Sequence, residues 1–238
     1  MDFIMKSRKM RFSVFTFFSF ILILVYAGTC VGEVLFEENF EGGKIDQKRW
    51  DPSAGWVVKK GALDANGGEI GITVKNDFTN FEFYADFNMV KPLFAPNFVL
   101  RAEDKDNCTL VQIVADHRNQ LWWFMRVGGD FKVDAKNFLA NESGVQPELE
   151  RWYSIKIVAE GNRYELHLGK QDEELKLACT WEDKTHNEGG IGFREDNGEH
   201  CLYDNVVVTN IGHSFDNATP VNKNDKLPTM WGNIKRSY

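Results

Sequence analysis

Hydrophobic and polar residues alternate along most of this chain with a period of two. Phe81, Phe83, Ala85 and Phe87 interleave with Glu82, Tyr84, Asp86 and Asn88, so a strand here sets the aromatic side chains on one face and the polar ones on the other. Similar runs cover 97–102, 109–114, 121–127, 153–158, 164–168, 175–180 and 191–194. Turn-forming clusters separate them: Asp104-Lys105-Asp106-Asn107, Gly128-Gly129-Asp130, Glu160-Gly161-Asn162 and Glu188-Gly189-Gly190. No stretch carries an amphipathic helical pattern of more than about two turns. The pattern predicts an all-β sandwich of about 12 to 14 strands between residues 33 and 211.

The two ends read differently. Lys6, Arg8, Lys9 and Arg11 precede an apolar run from Phe12 to Tyr26 and the small residues Ala27, Gly28 and Thr29, the layout of a secretory signal peptide over residues 1–32. An uncleaved membrane anchor is the rival reading, although the run is shorter than the roughly 20 apolar residues a spanning helix needs. Lipidation at Cys30 is a third, against which Ala27-Gly28-Thr29 is a poor match. Residues 212–238 are mostly Asn, Asp, Lys, Pro, Ser and Thr, with a short apolar island at Leu227, Met230, Trp231 and Ile234, and read as a flexible polar tail.

The formal net charge is −7, and losing the leader removes four positive residues and Asp2, leaving −10. A surface this acidic argues against nucleic acid or anionic membrane as partner, the membrane entering only through an uncleaved signal. The expected compartment is secreted, periplasmic or extracellular. Three cysteines remain, Cys108, Cys179 and Cys201, without C-x-x-C spacing; they read as buried small hydrophobes, with pairing of Cys179 and Cys201 left open. The five histidines, His117, His167, His186, His200 and His213, show no metal-ligand spacing. The sequons at Asn107, Asn141 and Asn217 are too common by chance to assign a source.

Five segments in order carry a family resemblance: Phe98-Val99-Leu100-Arg101-Ala102, Asn107 to Ile113, Arg151 to Ile157, Gly189-Gly190-Ile191-Gly192-Phe193-Arg194, and Tyr203-Asp204-Asn205-Val206-Val207-Val208. Together they resemble the concanavalin A-like lectin/glucanase superfamily, nearest to laminin-G-like domains and to 3-keto-disaccharide hydrolase or family 16 glycoside hydrolase-like domains. The resemblance implies a two-sheet antiparallel jelly roll over residues 33–211, whose first strand, around Phe36, lies beside the last, around Val206. It also implies a structural Ca²⁺ held by Asp204 of the last strand with Glu38 and the Asn39 backbone near the first, carbonyls and water supplying the remaining oxygens. The Glu-x-Asp-x-x-Glu pattern of family 16 glucanases is missing, and the acidic segments at 102–106, 148–150 and 171–174 read as polar turns.

A ligand face follows from strand parity and the resemblance together. Tyr84 and Asp86 lie opposite the aromatic face of their strand, Arg101 opposite Phe98, Leu100 and Ala102, and Gln112 opposite Val111 and Ile113. In Leu121-Trp122-Trp123-Phe124-Met125-Arg126 one tryptophan faces the core and the other the surface, and with Phe124 and Met125 both apolar parity leaves the choice open; Trp122 with Arg126 is the favoured outward pair. These six residues are expected to line one sheet face and to hold a glycan through hydrogen bonds and ring stacking. An Asp86–Arg101 ion pair on a merely solvated face is the plainer alternative. Three functions stay open: a carbohydrate-binding module, a glycoside-processing hydrolase of the 3-keto-disaccharide type, and a laminin-G-like protein-interaction module.

Overall fold

The structure, a computed structural model, describes residues 33–91, 96–114 and 119–212. The export signal, Cys30, the C-terminal tail, His117, His213 and the Asn217 sequon all lie outside the described residues. Two antiparallel sheets of eight strands face each other. Sheet A holds β1 (Val34–Glu38), β3 (Val57–Lys59), β4 (Ala62–Asn66), β6 (Phe81–Lys91), β12 (Trp152–Glu160), β13 (Arg163–Lys170), β14 (Lys176–Glu182) and β16 (His200–Thr209). Sheet B holds β2 (Trp50–Asp51), β5 (Ile70–Thr73), β7 (Asn97–Asp104), β8 (Asn107–Val114), β9 (Gln120–Val127), β10 (Asp130–Lys132), β11 (Phe138–Ala140) and β15 (Gly190–Arg194). The strands beyond the expected number are pieces of two or three residues, β2, β3, β10 and β11, too short to show an alternation.

First and last strands are neighbours: Phe36 pairs with Val208 and Glu38 with Val206. The aromatic face of β6 is buried as its alternation requires, with Phe81, Phe83 and Phe87 fully covered. Phe83 and Phe87 meet Phe98 of sheet B edge-on at 6.3 and 5.8 Å, while Phe193 stacks on Tyr203 at 3.8 Å. Each such ring adds about 1.5–3 kcal/mol of burial energy, so the aromatic contacts between the sheets hold the sandwich together.

Strand parity breaks at one place that matters for the site. The β7–β8 register shifts between Leu100 and Asp104, and Arg101 takes a left-handed φ of 47°. This bulge turns Arg101 into the space between the sheets beside Leu100 and hands the outer face to Ala102. Gly189 makes the bulge possible, since a Cβ there would stand 2.3 Å from the Arg101 carbonyl carbon.

The three cysteines are free and buried. Cys179 on β14 and Cys201 on β16 have β13, β12 and β6 between them, a separation of about 19 Å at the usual strand spacing and far outside disulfide reach. Burial pushes the thiols of Cys108 and Cys179 up to about 12, so neither supplies a thiolate at neutral pH.

Candidate functional site

The outer face of sheet B gathers polar and aromatic groups from strands that alternate strictly. Phe98, Leu100, Val111, Ile113, Leu121, Ile191 and Phe193 point into the main core, which leaves Asn97, Gln112, Trp122 and Arg194 on the other side. Register aligns them: Arg194 pairs with Asn97, Asn97 with Gln112, Gln112 with Trp122, and Trp122 with Phe138. The result is one row across five strands. Asn97 and Gln112 are buried in it, and Phe138 is 36% exposed at its end.

Side chains from distant strands meet over this face. The Arg126 guanidinium on β9 pairs with Glu69, just before β5, at 3.3 Å and with Asp106 at 3.2 Å, and donates through Nε to the Gly129 carbonyl at 3.1 Å. The Phe131 ring lies between two guanidiniums, with Arg126 at 5.2 Å and Arg194 at 5.0 Å. Strands β8, β7 and β15 intervene between β9 and β5, so a flat sheet would separate those two by about 19 Å. Twist and curl bring opposite corners together over the centre, making the face concave along that diagonal. Glu69 and Asp106 are more than half exposed, so these ion pairs add little. The cation–π contacts, about 0.5–2 kcal/mol each, contribute more. Beneath them Ile70, Ile72, Val99, Ala102, Cys108, Leu110 and Phe124 form a second apolar cluster, separate from the main core.

Two donors on the face have no hydrogen-bond partner among the described residues, Arg194 Nε and Trp122 Nε1. The other end of the Arg194 guanidinium is fixed by Asp196 at 2.8 Å. Both atoms are covered by neighbouring side chains, while the ring edges beside them stay partly open. Trp122 stacks on Phe138 at 4.7 Å with nearly parallel rings and tilts against Phe124 at 5.0 Å. Behind Arg194, Glu195 is completely buried and accepts a short hydrogen bond from the Tyr203 hydroxyl. Burial holds the Glu195 carboxyl well above the ordinary carboxylate range.

Of the six residues expected on one face, Gln112, Trp122 and Arg126 do come together here. Tyr84 and Asp86 do not; β6 belongs to sheet A, and they lie on its opposite outer surface. There Tyr84 donates to Glu82 at 2.5 Å. Asp86 accepts from Ser154, Gln171 and Asn205 at 2.5, 2.8 and 2.7 Å, and burial raises its pKa despite those donors. Arg101 is on neither face, because its bulge turns it inward. It donates to Tyr164 Oη at 3.1 Å, His186 O at 3.3 Å and Thr79 O at 2.8 Å. An Asp86–Arg101 ion pair is therefore excluded, the two residues belonging to different sheets.

Glu38, Asn39 and Asp204 lie where the paired first and last strands meet. Glu38 Oε1 accepts from the Asn39 and Phe40 amides, and its Oε2 pairs with Arg49 at 3.1 Å. Asn39 Oδ1 accepts from the Glu41 amide. Asp204 stands opposite Asp86, two residues beyond the register partner of Glu38. Among the described residues no three His, Cys, Asp or Glu side chains cluster as metal ligands, so a calcium ion here would draw most of its oxygens from backbone carbonyls and water.

Asn97, Phe131, Phe138 and Arg194 are the residues that parity reading missed. The alternation of Ile191 and Phe193 already turns Arg194 outward, but only the curl of the sheet shows that it meets Phe131.

Fold and face together define a concanavalin A-like sandwich with a concave, aromatic and polar surface on one sheet. The 3-keto-alpha-glucoside-1,2-lyase-like domain model matches residues 33–209, and the chain belongs to that family. No curated protein matches the sequence. Among solved structures, the fold is similar to carbohydrate binding module CBM66 from Bacillus subtilis (18% identity, 67% of this chain and 94% of that one, TM-score 0.52). It is also similar to a putative glycosyl hydrolase from Parabacteroides distasonis (16%, 76% and 99%, TM-score 0.51). A third likeness is to the VIP36 exoplasmic/lumenal domain in its Ca²⁺/Man2-bound form (11%, 75% and 89%, TM-score 0.53).

Proposed function

We propose that the concave face of sheet B binds an α-glucoside, its hydroxyls meeting Asn97, Gln112 and Arg194 and its ring resting against the Trp122–Phe138 stack. The observation that carries this reading is the partly exposed Trp122–Phe138 ring stack, which lies in one row with the polar side chains of Gln112 and Arg194. Sugar recognition uses that combination of apolar stacking surface and few directed polar groups. Arg194→Ala and Trp122→Ala are each expected to weaken binding of maltose by about tenfold or more, the equivalent of one charged or well-placed hydrogen bond. Isothermal titration checks this; unchanged affinity in both variants overturns it.

Family membership supports a second reading, in which the bound sugar carries a ketone at C3 and is cleaved. The ketone acidifies the C2 hydrogen. A base removes that proton, the C1–O bond breaks with its electrons leaving on the aglycone oxygen, and a C1=C2 double bond conjugated with the ketone forms. Incubation with a 3-keto-α-glucoside and ultraviolet detection of the conjugated product separates the readings, since a pure binding module leaves the glycoside intact.

The basic and apolar stretches at the start of the chain support export. Intact-mass measurement of secreted protein is expected to give a mature start between Thr29 and Val34; retention of Met1 on membrane-bound protein would show an anchor.

A further inference from the structure

The contact of Glu69, Arg126, Phe131 and Arg194 crosses the concave face obliquely, from the β9–β10 corner to the β5–β15 corner. On one side of it lies the row of Asn97, Gln112, Trp122 and Phe138. Toward the β7–β8 turn the surface is blocked, because Phe131 is clamped between two guanidiniums and the space beneath is filled by the apolar cluster around Val99 and Leu110. Val99, Cys108 and Leu110 are fully buried although they face away from the main core. A sugar chain following the strands from the polar row therefore runs into a wall.

We infer that this face is a blind groove that accepts the terminal residue of a glycan and excludes internal stretches of the chain. The inference rests on the saccharide reading above and adds to it the position along the chain that is recognised. Phe131 is the determinant of that selectivity. Its ring is 40% exposed, so it serves as a barrier and has little part in the core. The hairpin that carries it turns on Gly128 and Gly129, both left-handed, which fixes the ring over the face without a longer loop.

The test is a chain-length series of α-1,4-linked glucose, from maltose to maltoheptaose and then soluble amylose, titrated into the full protein and into Phe131→Ala. Terminal recognition predicts that wild-type affinity per mole of chain stays constant within about twofold along the series, and that amylose binds one protein per chain. Phe131→Ala should gain affinity with length, by about tenfold at maltoheptaose, and should load several proteins onto each amylose chain. Wild-type affinity that climbs with length, with several proteins per amylose chain, overturns the blind groove and leaves the saccharide reading standing. Equal behaviour of wild type and Phe131→Ala on amylose removes Phe131 as the barrier. Failure of every member of the series to bind either protein overturns both proposals.

Discussion

Replacing Arg101 by alanine is expected to lower the melting temperature by about 10 °C. The guanidinium is 1% exposed and donates to Tyr164 Oη and to the carbonyls of Thr79 and His186, while lying 5.0 Å over the Tyr164 ring. Its removal takes a charged donor away from the buried Tyr164 Oη and His186 O and opens a void between the sheets, a loss of about 3 kcal/mol or more. For a domain of this size each kcal/mol moves the midpoint by about 2–4 °C. Arg101→Gly separates two parts of that loss: it also deletes the guanidinium, but glycine adopts the left-handed φ of 47° without strain. The glycine variant should therefore melt a few degrees above the alanine one. Near-ultraviolet circular dichroism should show the change too, since Tyr164 stacks on Trp181 at 4.9 Å. An alanine variant that melts within about 2 °C of wild type would mean that the guanidinium holds nothing together.

Arg101 also shows where reading residues by parity stops. Alternation placed the aromatic side of β6, because a half-buried strand leaves a period of two in its own sequence, whereas in β9 the apolar Phe124 and Met125 hide that period. It failed at Arg101 because a bulge adds one residue to the count. The signal for that bulge lies far away in the chain, at Gly189, whose missing Cβ makes room for it. Tyr84 and Asp86 failed for another reason. Both point away from the core as expected, yet a strand's own pattern does not say which sheet it joins, and sheet membership is set by pairings such as Asp86 with Asp204, more than a hundred residues apart. Phe131 and Phe138 belong to three-residue strands, too short for any period, and their place over the face depends on the curl of sheet B. The aromatic alternation that forms the core was thus legible locally, while the site is made by long-range register.

The pH dependence of stability should be dominated on its neutral side by Glu195. Burial raises its pKa well above the ordinary 4.5, so the folded protein keeps this proton over a range in which the unfolded chain has released it. The folded state then binds more protons than the unfolded state, and stability is full below about pH 4.5 and falls as pH rises, by up to about 1.4 kcal/mol per pH unit, until the folded pKa is passed. Asp64 works in the opposite sense: although burial opposes it, Lys59 and His200 hold its pKa below 3.8, and that contribution is present above the ordinary value and lost only as the solution turns more acidic. Glu195→Gln keeps an acceptor for the Tyr203 hydroxyl and abolishes the titration. Urea unfolding at about pH 4, 6 and 8 should therefore find the two proteins similar in acid and the glutamine variant increasingly the more stable toward pH 8. Asp86 and Glu37, whose pKa values burial also raises, are present in both proteins and cancel in the comparison. A difference that stays constant across the three pH values would show that Glu195 does not carry its proton into the folded state alone.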